Sequence, residues 1–167
     1  SDVCSSDLRR HRGFARQAGP AAGGSQAAVS AVFLDTAGWL AALSPRESDH
    51  AAALAAYRGW VERGITLVTT NLVLSEMQIL VSRVRGAPAG VGFIDAVHAD
   101  PSHEVVYVDR EMERASVDQW LRRFKDRTLS LTDAVSFEVM RSRRMREVLT
   151  LDEKFHVAGF RVVPGGR

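Results

Sequence analysis

The chain has a single cysteine, Cys4, so no internal disulfide can form, and that usage fits a reducing compartment. No apolar stretch approaches the roughly 20 residues that a membrane-spanning helix needs, so no membrane partner and a cytoplasmic location are expected. His50, His98, His103 and His156 lack the paired spacing of metal-binding imidazoles and read as surface or packing residues. Ser75, Ser130 and Ser136 lack the elbow context of a hydrolase serine. Aromatics make up only 7% of the chain, and Trp39, Trp60 and Trp120 sit at helical positions, as core or interface rather than base-stacking platforms. Neither sign of charge dominates. Residues 1–28 hold four Arg and two Asp, which leaves 18 basic and 18 acidic residues beyond them. Bulk charge therefore argues for no partner, and only the placement of charges can.

What remains is 46% hydrophobic and 25% charged, enough for one globular domain with a real core. Residues 1–30 carry no periodic apolar face and are rich in Gly, Ala, Ser and Arg, which predicts a disordered or artefactual extension. No apolar run of about 7–15 residues marks them as a secretory signal. The opening octet Ser1–Leu8 resembles the translation of a sequencing-adapter end, and Val29 is then the expected start. Residues 31–167 are expected to form the single domain, with no internal repeat.

Strands are expected at 31–35, 65–69, 105–108, 148–151 and 161–163, as short apolar runs. Helices are expected at 36–43, from the cap Asp49 to Arg63, from the cap Asn71 to Arg85, and at 91–99, 109–124 and 132–143, with a turn over 86–90. Strands alternating with helices imply an α/β fold with a mostly parallel sheet and right-handed crossovers. Ligands of such sheets bind beyond the carboxyl ends of the strands.

Four acidic residues stand in or beside apolar segments. Asp35 ends the run Ala31-Val32-Phe33-Leu34. Glu76 follows Thr69-Thr70-Asn71-Leu72-Val73-Leu74-Ser75. Asp133 follows Leu131-Thr132, and Asp152 follows Leu149-Thr150-Leu151. Carboxylates in apolar surroundings are costly unless compensated, and several together repel one another. A hard divalent cation resolves that conflict, because Mg²⁺ and Mn²⁺ take oxygen ligands. Asp35 and Asp152 lie at strand ends, Glu76 about one turn into a helix after a strand, and Asp133 at a helix N-terminus. All four can therefore reach one rim. Asp126, seven residues before Asp133, is a further candidate.

The order of Phe33-Leu34-Asp35-Thr36, Thr69-Thr70-Asn71 leading to Glu76, Ser130-Leu131-Thr132-Asp133-Ala134-Val135-Ser136-Phe137, Leu149-Thr150-Leu151-Asp152 and Phe155-His156-Val157-Ala158-Gly159-Phe160 resembles the PIN domain, in its prokaryotic VapC-type toxin branch. The resemblance covers nearly everything beyond residue 30. It implies a three-layer α/β/α fold and an Mg²⁺- or Mn²⁺-dependent endoribonuclease. It further implies RNA as substrate, a cognate antitoxin that blocks the acidic pocket, and a homodimer. It makes Asp35 and Asp133 direct metal ligands. Glu76 and Asp152 would complete the site, partly through water, with Thr36 and Thr132 adding hydroxyls. Where relatives often carry Arg-His before the equivalent of Phe155, this chain has Glu153-Lys154.

Plainer readings stand beside these. Asp35 and Asp133 can be structural carboxylates or caps, Glu76 an exposed helical charge, Asp152 a turn residue and Asp126 part of a surface loop. The basic runs Arg122, Arg123, Lys125, Arg127 and Arg141, Arg143, Arg144, Arg146 suit phosphate contact, or a solvated face. A non-catalytic PIN-like RNA-binding or scaffold module is the main alternative function, and another metal-dependent phosphohydrolase a third. An apolar surface near Trp39, Leu40 and Trp60 is the expected dimer face.

Overall fold

The computed structural model describes residues 30–124 and 128–165. Five parallel strands form one sheet: β1 (Ala31–Leu34), β2 (Thr66–Thr70), β3 (His103–Val106), β4 (Glu147–Leu149) and β5 (Arg161–Val163), in the spatial order β3-β2-β1-β4-β5. The expected three-layer α/β fold is present. Val32, Phe33 and Leu34 in β1, and Val148 and Leu149 in β4, are fully buried, as the central strands of a sheet covered on both faces must be.

Helices α1 (Thr36–Leu43) and α2 (His50–Glu62) connect β1 to β2, and α3 (Asn71–Arg85) and α4 (Ala87–Ala99) connect β2 to β3. Helix α5 (Arg110–Ser116), a π-helical turn (Val117–Leu121) and α6 (Leu131–Ser142) lead to β4, and α7 (Glu153–Val157) to β5. The chain steps outward from β1 to β3, then jumps back past β1 to β4. Right-handed crossovers put α1–α4 on one face and α5–α7 on the other. Each face has its own aromatic cluster. Trp39 packs with Tyr57, Phe93 and His103 on the first. Phe137 packs with Trp120, Phe155 and Phe160 on the second.

Several local expectations are corrected by local chemistry. β3 begins two residues before the expected 105, because Asp100 accepts from Ser102 N at 2.9 Å and the turn delivers His103 into the sheet. Val108 instead donates to Asn71 Oδ1 at 3.0 Å, outside the ladder. Thr70, not Asn71, caps α3, its hydroxyl accepting from Val73 N at 3.2 Å. The turn expected over 86–90 shrinks to Gly86 at φ 87°. Helix α4 starts at Ala87 because Pro88 is tolerated in a first turn. The helix expected through 124 gives way to the π-helical turn after Ser116. Trp39 and Trp60 are buried at 0% and 3% exposure, so of the residues expected at a dimer face only Leu40 is part-exposed.

One close approach sets the site. A Cβ on Gly38 would stand 2.0 Å from the Leu149 carbonyl oxygen. Only glycine lets α1 lie this close to the end of β4, which draws Asp35 and Thr36 toward the segment carrying Thr150 and Asp152. Among the described residues no helix is long and apolar enough to cross a membrane.

Candidate metal centre

Three of the sequence-selected carboxylates, Asp35, Asp133 and Asp152, lie at the carboxyl end of the sheet or at helix N-termini beside it, and Glu76 lies in the second turn of α3. Asp35 follows β1 directly and occupies the N-cap position of α1. Its Oδ2 accepts from Thr150 Oγ1 at 2.7 Å and from Ala37 N at 3.4 Å. Thr150 is fully buried just beyond β4, and its hydroxyl oxygen in turn accepts from Asp152 N at 3.0 Å. Asp152 caps α7, accepting from Lys154 N at 2.9 Å. The Lys154 ammonium lies 3.0 Å from Asp152 Oδ2 and 2.7 Å from Asp133 Oδ2. A continuous polar chain therefore links Asp35, Thr150, Asp152, Lys154 and Asp133.

Asp133 is held from a second side. Ser130 N donates to Asp133 Oδ2 at 2.8 Å, and Asp133 N donates to Ser130 Oγ at 3.0 Å, a capping box that opens α6. The plainer reading of Asp133 as a cap residue is thus true of its geometry, and the cap aims its carboxylate at the rim. Glu76 is half-buried on α3 and accepts a short hydrogen bond from Thr36 Oγ1, next to Asp35.

Burial is the main reason the Asp35 carboxyl is pushed up from its ordinary 3.8 to about 6. Hydrogen bonds from Thr150 and the α1 backbone oppose the rise, and the Asp133 charge adds to it. For Lys154, burial works against the charge, but bonds to Asp133 and Asp152 outweigh it and raise the ammonium above its usual range. One buried carboxyl is thus biased toward its neutral form, and one ammonium is shared by two others.

The donor set fits a hard cation: carboxylate oxygens at Asp35, Glu76, Asp133 and Asp152, with hydroxyls at Thr36 and Thr150 beside them. Among the described residues no three such side chains already stand close enough to coordinate an ion. Each carboxylate has a local partner instead: Thr150 for Asp35, Thr36 for Glu76 and Lys154 for the other two. Thr132 is half-buried, and its carbonyl accepts from Ser136 Oγ at 2.8 Å. Thr150 escaped the sequence reading. Lys154 entered it only as a departure from relatives, one expected to alter RNA contacts without touching the four carboxylates, whereas it touches two of them. The signal for Thr150 was a hydroxyl inside the apolar run Leu149-Thr150-Leu151, and for Lys154 its place two residues after Asp152.

The basic residues are scattered. Arg122 pairs with Asp118 at 2.9 Å on an exposed surface. Arg141 pairs with Glu138 at 2.6 Å and Arg143 with Glu104 at 2.6 Å. Arg141, Arg143 and Arg144 lie at the far end of α6, and Arg146 precedes β4, the opposite end of the sheet from the carboxylates. Eight residues of helix separate Asp133 from Arg141, about 12 Å along the axis. Lys125, Asp126 and Arg127 lie outside the described residues.

Comparisons with known proteins agree with this fold. The profile of the PIN domain matches residues 32–161. The 23S rRNA-specific endonuclease VapC20 of Mycobacterium tuberculosis is 31% identical over 129 residues, covering 77% of this chain and 95% of that protein. Its crystal structure, described as that of a sarcin–ricin loop cleaving toxin, superposes with a TM-score of 0.66 over the same shares of the two chains. VapBC2 from Rickettsia felis, solved on a promoter DNA fragment, matches with a TM-score of 0.59 at 13% identity, covering 79% of this chain and 96% of that one. At that identity the likeness is one of fold.

Proposed function

The chain belongs to the PIN-domain family, and from that premise we propose that it is a divalent-metal-dependent endoribonuclease, the toxin of a toxin–antitoxin pair. The convergence of Asp35, Asp133 and Asp152 through Thr150 and Lys154 carries this reading. Its likeness to VapC20, an rRNA endonuclease, supports RNA as the substrate class.

Asp35 and Asp133 would hold the cation directly, with Glu76 and Asp152 completing the site, partly through water. A bound Mg²⁺ or Mn²⁺ supplies a nucleophilic water at neutral pH and neutralises charge developing on the phosphate oxygens. The chain's own part is positional. The capping box fixes Asp133, Thr150 fixes Asp35, and Thr36 fixes Glu76 beside it. Burial raises the Asp35 carboxyl to about 6, so a bound cation would favour its ionised form and would bind more weakly below that pH. Contacts from Arg141, Arg143, Arg144 and Arg146, and from Arg122, Arg123, Lys125 and Arg127, would be made to RNA backbone away from the cleaved bond. Asp126 and Thr132 are proposed as supporting residues.

A cytoplasmic location and a cognate antitoxin follow from the same reading. A homodimer is proposed with it, and Ile79, Val84 and Val91 on α3 and α4 are exposed apolar side chains suited to a partner. Single-stranded RNA and DNA of one sequence, incubated with the protein and Mg²⁺ or Mn²⁺, test the activity. Cleavage of RNA alone is expected. Cleavage of neither polymer under either metal would favour a non-catalytic RNA-binding module.

A further inference from the structure

We propose that Lys154 is a resident counter-cation of the acidic rim, which holds Asp133 and Asp152 together in the metal-free protein and competes with the divalent cation for them. This rests on the metal-centre reading above. The ammonium lies 2.7 Å from Asp133 Oδ2 and 3.0 Å from Asp152 Oδ2, so a single group bridges carboxylates from two different elements.

Helix electrostatics do not explain its place. Asp133 sits in the first turn of α6, where backbone N–H groups favour an anion and oppose an ammonium. Lys154 is itself in the first turn of α7. The two carboxylates must therefore hold it there. Asp133 Oδ2 already accepts from Ser130 N at 2.8 Å as well as from Lys154. A carboxylate oxygen has about two lone-pair sites, so both on this atom are taken. A divalent ion cannot share that oxygen with an ammonium at contact distance without strong repulsion. A metal that takes Asp133 through Oδ2 would require Lys154 to leave, and one on Oδ1 would still face the ammonium across the same carboxylate. The side chain is 30% exposed, so it has water to move into. The sequence Asp152-Glu153-Lys154 thus sets how much metal the site demands.

Calorimetric titration of Mn²⁺ onto the full chain, without RNA, tests this on the wild type, Lys154→Met and Lys154→Arg. Lys154→Met should bind Mn²⁺ about tenfold more tightly, the scale of two partly exposed ion pairs. Its metal-free thermal midpoint should fall, and saturating Mn²⁺ should raise it by more than in the wild type. Lys154→Arg keeps the charge and should stay near wild-type affinity, and it carries the comparison if the methionine variant fails to fold. In that case Lys154→Ala supplies the neutral side chain, and Mn²⁺ binding by Lys154→Arg at least as tight as by Lys154→Ala would overturn the proposal. Equal or weaker Mn²⁺ binding by Lys154→Met, with a saturable wild type, overturns the role of Lys154 and leaves the metal centre standing. No saturable binding in any of these proteins overturns both.

Discussion

The two ends of the sheet both bury ionisable groups, and they treat them in opposite ways. At the amino end, Asp100 accepts from Ser102 N and Ser102 Oγ and faces His103 Nδ1 at 3.4 Å. Burial alone would raise its carboxyl, but the His103 ring and the bonds from Ser102 outweigh it and hold the group well below the usual carboxylate range. His103 in turn stacks on Trp39 and lies 3.1 Å from the Tyr57 hydroxyl. At the carboxyl end, burial outweighs the bonds that Asp35 receives from Thr150 and the α1 backbone, and the group is pushed up to about 6. At the amino end the Asp100 carboxylate is compensated by its neighbours, although Trp39 Nε1 and His103 Nδ1 are buried there without a hydrogen-bond partner among the described residues, His103 Nδ1 having only its ion-pair contact with Asp100. At the rim one carboxyl, that of Asp35, is held against the cost of burial.

The cost has a magnitude and a sign. A carboxyl moved from 3.8 to about 6 is biased toward its neutral form by on the order of 3 kcal/mol. The folded state then holds a proton that the unfolded chain releases at lower pH. Stability from this group is present below the unfolded value and is lost as pH rises through about 6. Asp100 behaves in reverse. Its stabilisation is present above the ordinary carboxylate value and is lost on acidification.

Substitutions at the two ends should separate activity from stability. The largest effect expected is on RNA cleavage: Asp35→Asn or Asp133→Asn should lower its rate by at least about a hundredfold. In the same metal-free samples Asp35→Asn should hold or raise the thermal midpoint, by on the order of 1–3 kcal/mol in stability. An unfolded Asp35→Asn would place that residue with the structural carboxylates and break the contrast. Asp100→Ala should do the opposite, destabilising by about 1–2 kcal/mol while leaving the cleavage rate of the folded fraction unchanged. The difference in stability between wild type and Asp35→Asn should widen between pH 4 and about 6, as thermal melts across that range would show. Equal slopes would mean that Asp35 does not titrate there. The smallest effect expected is that of removing residues 1–28, which hold none of the four carboxylates. A chain starting at Val29 should match the full chain in thermal midpoint and cleavage rate, and a midpoint lower by several degrees would show that the segment packs on the domain.

The rim was legible in the sequence because its residues break local rules. Asp35 follows three residues with fully buried side chains, and Asp133 follows a serine that caps a helix. Strand and helix order were legible for the same reason, since buried central strands leave unbroken apolar runs. Lys154 was not legible, because a lysine near a helix start ordinarily points to water, and only the fold brings Asp133 beside it. β3 was misplaced because it is an edge strand that opens with His103-Glu104, so polar residues hid its start. The buried face under Trp39 and Trp60 was mistaken for surface because periodicity shows that a face is apolar but not what covers it.

Cleavage of a labelled RNA in excess chelator, followed by return of Mg²⁺, is the most direct test of the acidic rim as a catalytic metal centre. The expected result is loss of cleavage in chelator and recovery with Mg²⁺ in the wild type, with no recovery in Asp133→Asn. Undiminished cleavage in chelator, or full recovery by Asp133→Asn, would contradict it.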